Sequence, residues 1–172
     1  STPKPSSAAS DVYKRQVMNE LVYRNLSEDA KRQICAWKYG GEYDLYNLPA
    51  YEEMQVRQIG FMNPKSEKNY YGFWDESILV GFVNILEEKE EVFIGIGVNP
   101  DLCNKHYGQR MLLITYEISK KLYPNKPLYL EVRTWNIRAV KCYQKAGFRI
   151  DGQAYELTTG IGTGTFYRMI RE

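Results

Sequence analysis

The sequence predicts a mixed α/β sheet with helices on both faces, and three observations support that class. Apolar and β-branched runs alternate with segments of helical period in the order strand, helix, helix, three strands, helix, strand, helix, two strands, and such an order lays helices over both sides of a sheet. At 172 residues with 44% hydrophobic content, the chain has the size of one domain able to bury a core. Its most regular stretch, residues 91–148, reads as strand, loop, helix, strand, helix, with neither internal repeats nor heptads elsewhere.

Residues 1–16 stand apart: Ser, Ala and Pro dominate, there is no apolar period, and Met18 follows just beyond. The string 6–16 resembles translated sequencing-adapter DNA at the ends of assembled metagenomic reading frames. Residues 1–16 are therefore expected to be a non-native or disordered leader, and 17–172 a single domain. Glu20-Leu21-Val22-Tyr23-Arg24 alternates as a first strand. Ser27 is placed to cap a helix whose Ala30, Ile34 and Trp37 share a face and which Gly40-Gly41 ends. Pro49 suits the first turn of a second helix over 50–58, where its missing N–H costs nothing. Residues 70–74 and 78–85 pair as a hairpin about Asp75-Glu76-Ser77, and the charged run 87–91 turns the chain at the surface. At the far end, 148–152 and 165–170 read as the last two strands, joined by a Gly- and Thr-rich loop over 158–164.

The central stretch carries the functional signal. Residues 92–98, Val-Phe-Ile-Gly-Ile-Gly-Val, are apolar and uncharged, the composition of a buried strand. Asn99-Pro100-Asp101 breaks that run, and the loop 102–108 leads into a segment whose Met111, Ile114, Ile118 and Leu122 fall on one helical face. A strand thus delivers its loop onto a helix N-terminus. Unpaired N–H groups there, at the positive end of the helix dipole, can hold a phosphate or diphosphate without any special side chain. Residues 128–133 then alternate as a strand, and 136–146 form a short helix closed by Gly147.

Leu130-Glu131-Val132-Arg133, followed by Asn136, Ala139, Tyr143, Lys145, Gly147 and Phe148, resembles the second signature of the GNAT acyl-CoA N-acyltransferases, most of all their ribosomal-protein alanine N-acetyltransferase branch. The loop 103–108 falls where that family carries its diphosphate loop, Gln/Arg-x-x-Gly-x-Gly/Ala. Here Cys103 replaces the Gln or Arg and His106 the first Gly, while Gly108 remains. A Cβ at His106 restricts the positive φ that glycine takes freely, although His is among the types enriched there. The resemblance implies a GNAT-like, largely antiparallel sheet with splayed central strands, and acetyl-CoA as cosubstrate without a metal.

Acyl transfer from a thioester to an amine needs a grip on the nucleotide carrier, a neutral amine, a stabilised oxyanion and a proton for the leaving thiolate. By the resemblance, the grip falls to Cys103, Asn104, Lys105, His106, Tyr107, Gly108, Gln109 and Arg110. The charges of Lys105 and Arg110 lie near the phosphates or are plain surface. Backbone N–H groups near Ile96 and Val98 are candidate oxyanion donors, since such a donor can be pure backbone. Tyr143 is the candidate general acid, because a phenol of pKa near 10 carries its proton at neutral pH; core packing on the face shared with Ala139 and Ala146 is the alternative. Asn136 caps this helix and is a candidate contact to the pantetheine arm. Glu131, twelve residues before Tyr143, is the candidate base, with burial beside Tyr rings expected to raise its pKa; a cross-strand pair with Lys or Arg is the alternative. Glu91 on the central strand is the second candidate base. Glu42, Tyr43, Asp44 and Tyr46, between the first two helices, are candidates to receive a cationic amine by ion pairing and cation–π contact, or else form a solvated turn. Cys142 adjoins Tyr143, yet no His lies near it in sequence to activate it as an acyl carrier.

Composition narrows the partners. Lys plus Arg number 23 and Asp plus Glu 21, and setting residues 1–16 aside leaves 20 of each and no net charge. That balance lacks the footprint of a general nucleic-acid binder. No apolar run approaches the roughly 20 residues of a membrane helix. The three cysteines, odd in number and without metal-ligand spacing, point to a reduced, cytoplasmic setting. The expected function is transfer of an acetyl group from acetyl-CoA to a primary amine by direct attack in a ternary complex. Its acceptor would be a small amine or a peptide N-terminus, and the protein a monomer or homodimer. The competing expectation is an acyl-CoA sensor or interaction module that keeps the fold without the chemistry.

Overall fold

In the computed structural model, which describes residues 21–172, alternating apolar runs pair into one eight-stranded sheet. The predicted leader and Glu20 lie outside the described residues. In chain order the elements are β1 (Leu21–Asn25), α1 (Glu28–Ala36), α2 (Tyr51–Arg57), β2 (Tyr70–Asp75), β3 (Ile78–Glu87), β4 (Val92–Val98), α3 (Tyr107–Leu122), β5 (Leu128–Arg133), α4 (Ile137–Lys145), β6 (Arg149–Ile150), β7 (Tyr155–Thr159) and β8 (Gly162–Arg171). The sheet runs β1-β2-β3-β4-β5-β8-β6, with β7 also on β8. Every pair is antiparallel except β4 with β5.

Adjacent residues of a strand point to opposite faces, so each face gathers its own core. Trp74 and Leu79 join Ala30, Ile34 and Met54 of α1 and α2. Their neighbours Phe73 and Val80 join Met111, Leu112, Ile114 and Ile118 of α3, together with Ile94, Leu130 and Met169. Helices therefore cover both faces, as the element order predicts. Full burial of each such side chain contributes about 1.5–3 kcal/mol. Capping follows the sequence too: Ser27 Oγ accepts from Ala30 N at 3.2 Å and Asn136 Oδ1 from Ala139 N at 3.2 Å. Among the described residues no helix is long and apolar enough to cross a membrane.

Four local readings differ from the structure. α1 ends at Ala36, before the glycine pair, and residues 41–46 coil into a 3-10 helix. Ala50 is the N-cap of α2, so Pro49 stands outside its first turn. Leu122, on the apolar face expected for α3, is 50% exposed at the end of that helix. The Gly- and Thr-rich segment expected as a loop is a hairpin: β7 pairs with β8 from Tyr155↔Phe166 to Thr159↔Gly162. Its threonines favour a pleated surface, and Gly160-Ile161 suffices for the two-residue turn.

The feature that positions the site is a divergence. β4 and β5 pair only at Val92↔Leu128 and Phe93↔Tyr129. Beyond Phe93, β4 stays with β3 to Val98 while β5 stays with β8 to Arg133. The expected splay of the central strands is thus present. Val92 N donates to Pro127 O at 2.9 Å, and the alternation of a strand sends the N–H groups of Ile96 and Val98, beyond the last β4–β5 pair, to the same side, into the gap.

Candidate functional site

The loop after β4 closes one end of this gap. Its residues Asn104 and His106 both take φ +64, and His106 is the N-cap of α3. The imidazole-bearing residue thus adopts a left-handed backbone that is freely open to glycine and restricted for a residue with a Cβ. Among the described residues, the amides of residues 104–109 donate to no partner, and the first helical bond is Arg110 N to His106 O at 3.2 Å. Unpaired amides at the positive end of a 16-residue helix suit a diphosphate. Gly108 lets the loop pack on α4, since a Cβ there would lie 3.0 Å from Cys142 Sγ. Tyr107 donates from its hydroxyl to Asp75 Oδ2 at 2.5 Å, and the Arg110 guanidinium lies 5.0 Å from the Tyr107 ring centroid.

A cavity of about 660 Å³ fills the gap. Of the predicted cofactor residues, Ile96, Val98, Cys103, Asn104, His106, Tyr107, Gly108, Gln109 and Asn136 line it, as do Tyr143, Glu131, Tyr43 and Tyr46. Lys105, Arg110, Glu42, Asp44 and Glu91 are not in its lining. Lys105, Glu42 and Asp44 are exposed to solvent. Glu91 sits just before β4, where both its oxygens accept from Arg168, one at 3.1 Å from Nη1. Arg168 also holds Asp151 at 3.2 Å, and these two carboxylates raise its pKa further above the arginine value.

Tyr143 projects from α4, which Asn136 caps at one end and Gly147, at φ +94, closes at the other. Its ring packs against the α3 core while also lining the cavity, so core packing and access to the cavity coincide in one side chain. Among the described residues its hydroxyl has no hydrogen-bond partner. Burial, and then the neighbouring Cys142, Tyr46 and Tyr39, push this phenol well above the ordinary tyrosine range. It therefore holds its proton at neutral pH. Burial also raises the Cys142 thiol, which leaves it a poor nucleophile.

Glu131 lies between the buried Leu130 and Val132 and so faces away from the α3 core. Its Oε2 accepts from Tyr155 of β7 at 2.5 Å. Arg168 stands directly across on β8 but is engaged by Glu91 and Asp151, so among the described residues Glu131 has no cationic partner. Tyr43 and Tyr46 pack on Trp135 with centroids 5.6 and 6.2 Å apart. Asn136 Nδ2 donates to the Tyr46 hydroxyl at 3.1 Å, and Tyr39 donates from its hydroxyl to Val98 O at 2.6 Å.

Residues 31–148 match the acetyltransferase (GNAT) family. The chain belongs to that family. Solved GNAT structures share its fold. A GNAT-family acetyltransferase from Bacillus anthracis superposes with TM-score 0.73 at 17% identity, covering 88% of this chain and 94% of that one. The spermidine N-acetyltransferase from Vibrio cholerae, in complex with CoA and spermine, gives TM-score 0.71 at 17% identity, covering 89% and 95%. No curated protein sequence matches the chain.

This GNAT protein also lines its cavity with residues that the sequence reading passed over: Tyr39, Arg133, Arg138, Lys141 and Lys145. Tyr39 lies in the same inter-helix segment as Tyr43 and Tyr46, and Arg133 and Lys145 belong to the quoted signature. What was missing was the direction of each side chain. The cations next to the loop come from α4, whose Lys145 O accepts from Gln109 Nε2 at 3.5 Å.

Proposed function

We propose that this protein transfers an acetyl group from acetyl-CoA to a primary amine by direct attack within a ternary complex. The observation that carries this reading is the divergence of β4 from β5, which opens strand N–H groups, the amides at the start of α3 and the Tyr143 phenol onto one cavity. Amides 104–109 hold the diphosphate, with Lys141 and Lys145 adding positive charge. Acetyl-CoA supplies the activated acyl group and a thiolate as leaving group. Glu131 takes the proton of the attacking amine, directly or through water, as the C–N bond forms. The N–H groups of Ile96 and Val98 face the developing oxyanion. Tyr143 gives its proton to sulfur as the C–S bond breaks. The acceptor is a peptide N-terminus, as in the alanine N-acetyltransferase branch that the second signature resembles, or a small amine. The spermine held by the Vibrio cholerae neighbour is a small amine of that kind.

Release of CoA from acetyl-CoA, followed with a thiol reagent across a panel of amines, tests this together with calorimetric titration of acetyl-CoA. Binding with amine-dependent release is the expected outcome. Tight binding without release on any amine would instead favour the acyl-CoA sensor, and absence of binding would remove both.

A further inference from the structure

We propose that Arg133 forms an anion subsite in the acceptor half of the cavity, so that the acceptor is an aminocarboxylate, an amine carrying a carboxylate a few bonds from its nitrogen. This rests on the acetyl-transfer reading and narrows its substrate class. Arg133 ends β5, is only 8% exposed and lines the cavity. Its guanidinium lies 4.8 Å from the Phe166 ring centroid, and among the described residues nothing accepts a hydrogen bond from it or pairs with its charge. Its nitrogens are not sealed in the core but reach the cavity, so the guanidinium turns five donors towards whatever occupies that space. Its planar fork fits a carboxylate in bidentate fashion. The space is built for it: a Cβ on Gly164 of β8 would come within 2.0 Å of Arg133 Nη1.

Charge around the cavity points the same way. With Lys141 and Lys145 given to the diphosphate, Arg133 and Arg138 line the rest against Glu131 alone, while the acids Glu42 and Asp44 lie outside the lining. A polycation would meet repulsion with one carboxylate to offset it. Glu131 and Arg133 are two residues apart on one face of β5, about 6.5 Å along the strand. An amine at the first and a carboxylate at the second span a distance that an α-amino acid or a short homologue bridges between the two side-chain heads.

Kinetics of CoA release test the subsite with four acceptor sets: free α-amino acids, the same amino acids as α-amides, short peptides with an acidic second residue, and spermidine. The free acids are expected to exceed their amides by about 10- to 100-fold in kcat/KM, mainly through KM. The acidic peptides report whether the carboxylate comes from a peptide instead. Arg133→Gln should abolish the acid-over-amide ratio while leaving KM for acetyl-CoA unchanged. Gly164→Ala, which displaces the guanidinium without removing it, should shrink the ratio less, and it serves if Arg133→Gln proves unstable on melting. Equal use of acids and amides by the native protein, preference for spermidine, or a ratio that survives Arg133→Gln in folded protein overturns the subsite. Should no amine be turned over, the acetyl-transfer reading itself fails. The subsite is then decided by titrating CoA-loaded protein with the amino acids: binding lost in Arg133→Gln sustains it, and absence of binding overturns it.

Discussion

Replacing Tyr143 by Phe separates chemistry from packing at one atom. The ring is part of the α3 core while the hydroxyl has no partner among the described residues, so the substitution removes an unpaired polar group and keeps the packed surface. Burial of an unpaired hydroxyl costs about 1–3 kcal/mol, and half-burial of this side chain reduces that. Tyr143→Phe is therefore expected to leave stability unchanged or to raise it by up to about 1 kcal/mol, which is a melting shift of about 0 to +4 °C at this chain length. If the phenol protonates the leaving thiolate, kcat falls by about 10²–10⁴-fold, or about 3–5 kcal/mol of barrier, with KM for acetyl-CoA unaffected. In the native protein the raised phenol pKa keeps the acid protonated through pH 10, so kcat should show no alkaline loss at the ordinary tyrosine value. Thermal melting and CoA-release kinetics from pH 6 to 10 measure both. A folded variant within about threefold of native kcat removes Tyr143 from the mechanism. A large fall in melting temperature would show that the hydroxyl is structural.

Gly81→Ala should cost about 2–3 kcal/mol in urea unfolding, because its Cβ would sit 2.5 Å from Met111 Cε and 2.6 Å from Gly97 O and backbone on the paired β4 has nowhere to go; a change below about 0.5 kcal/mol contradicts this packing. Tyr39→Phe removes the donor to Val98 O and should cost about 1 kcal/mol in the same assay, an unchanged midpoint meaning that water replaces it. Lys31 is buried on α1 between Glu28 and Glu67, at 3.0 and 2.8 Å. Burial opposes its charge, but the hydrogen bonds to Glu67 and Glu28 prevail and raise its pKa, while bonds from Tyr51 and Lys31 lower that of Glu28. The depressed Glu28 contributes stability above the ordinary glutamate pKa of about 4.3 and loses it as pH falls through its lower folded value. The raised Lys31 contributes below about 10.4 and loses it as pH rises through its higher folded value. Lys31→Met should lower melting most between these limits and remove the alkaline flank of the melting profile, while the acid flank persists in part through the Tyr51 bond to Glu28; an unaltered profile would show that the cluster is not coupled to folding.

What the sequence determined was local. The apolar run 92–98, the alternation 128–133 and the Asn136 cap reappear as β4, β5 and the start of α4, since hydrophobic period and capping act over a few residues. Those patterns, with the second signature, were enough to bring Tyr143 and Glu131 forward. Tertiary structure alone decided which groups share a space. Glu91 and Arg168, 77 residues apart, form their ion pair only because β4 and β8 flank β5. Within residues 41–46 a 3-10 turn sends Tyr43 and Tyr46 inward and leaves Glu42 and Asp44 in water, a division that composition does not encode. Among the described residues Arg133 has no acidic partner, and Gly164 makes room for it beside Phe166. A backbone's preference is written in its neighbours along the chain, whereas a side chain's partner depends on strands brought together from distant segments, and the gap between β4 and β5 is itself such a pairing left incomplete.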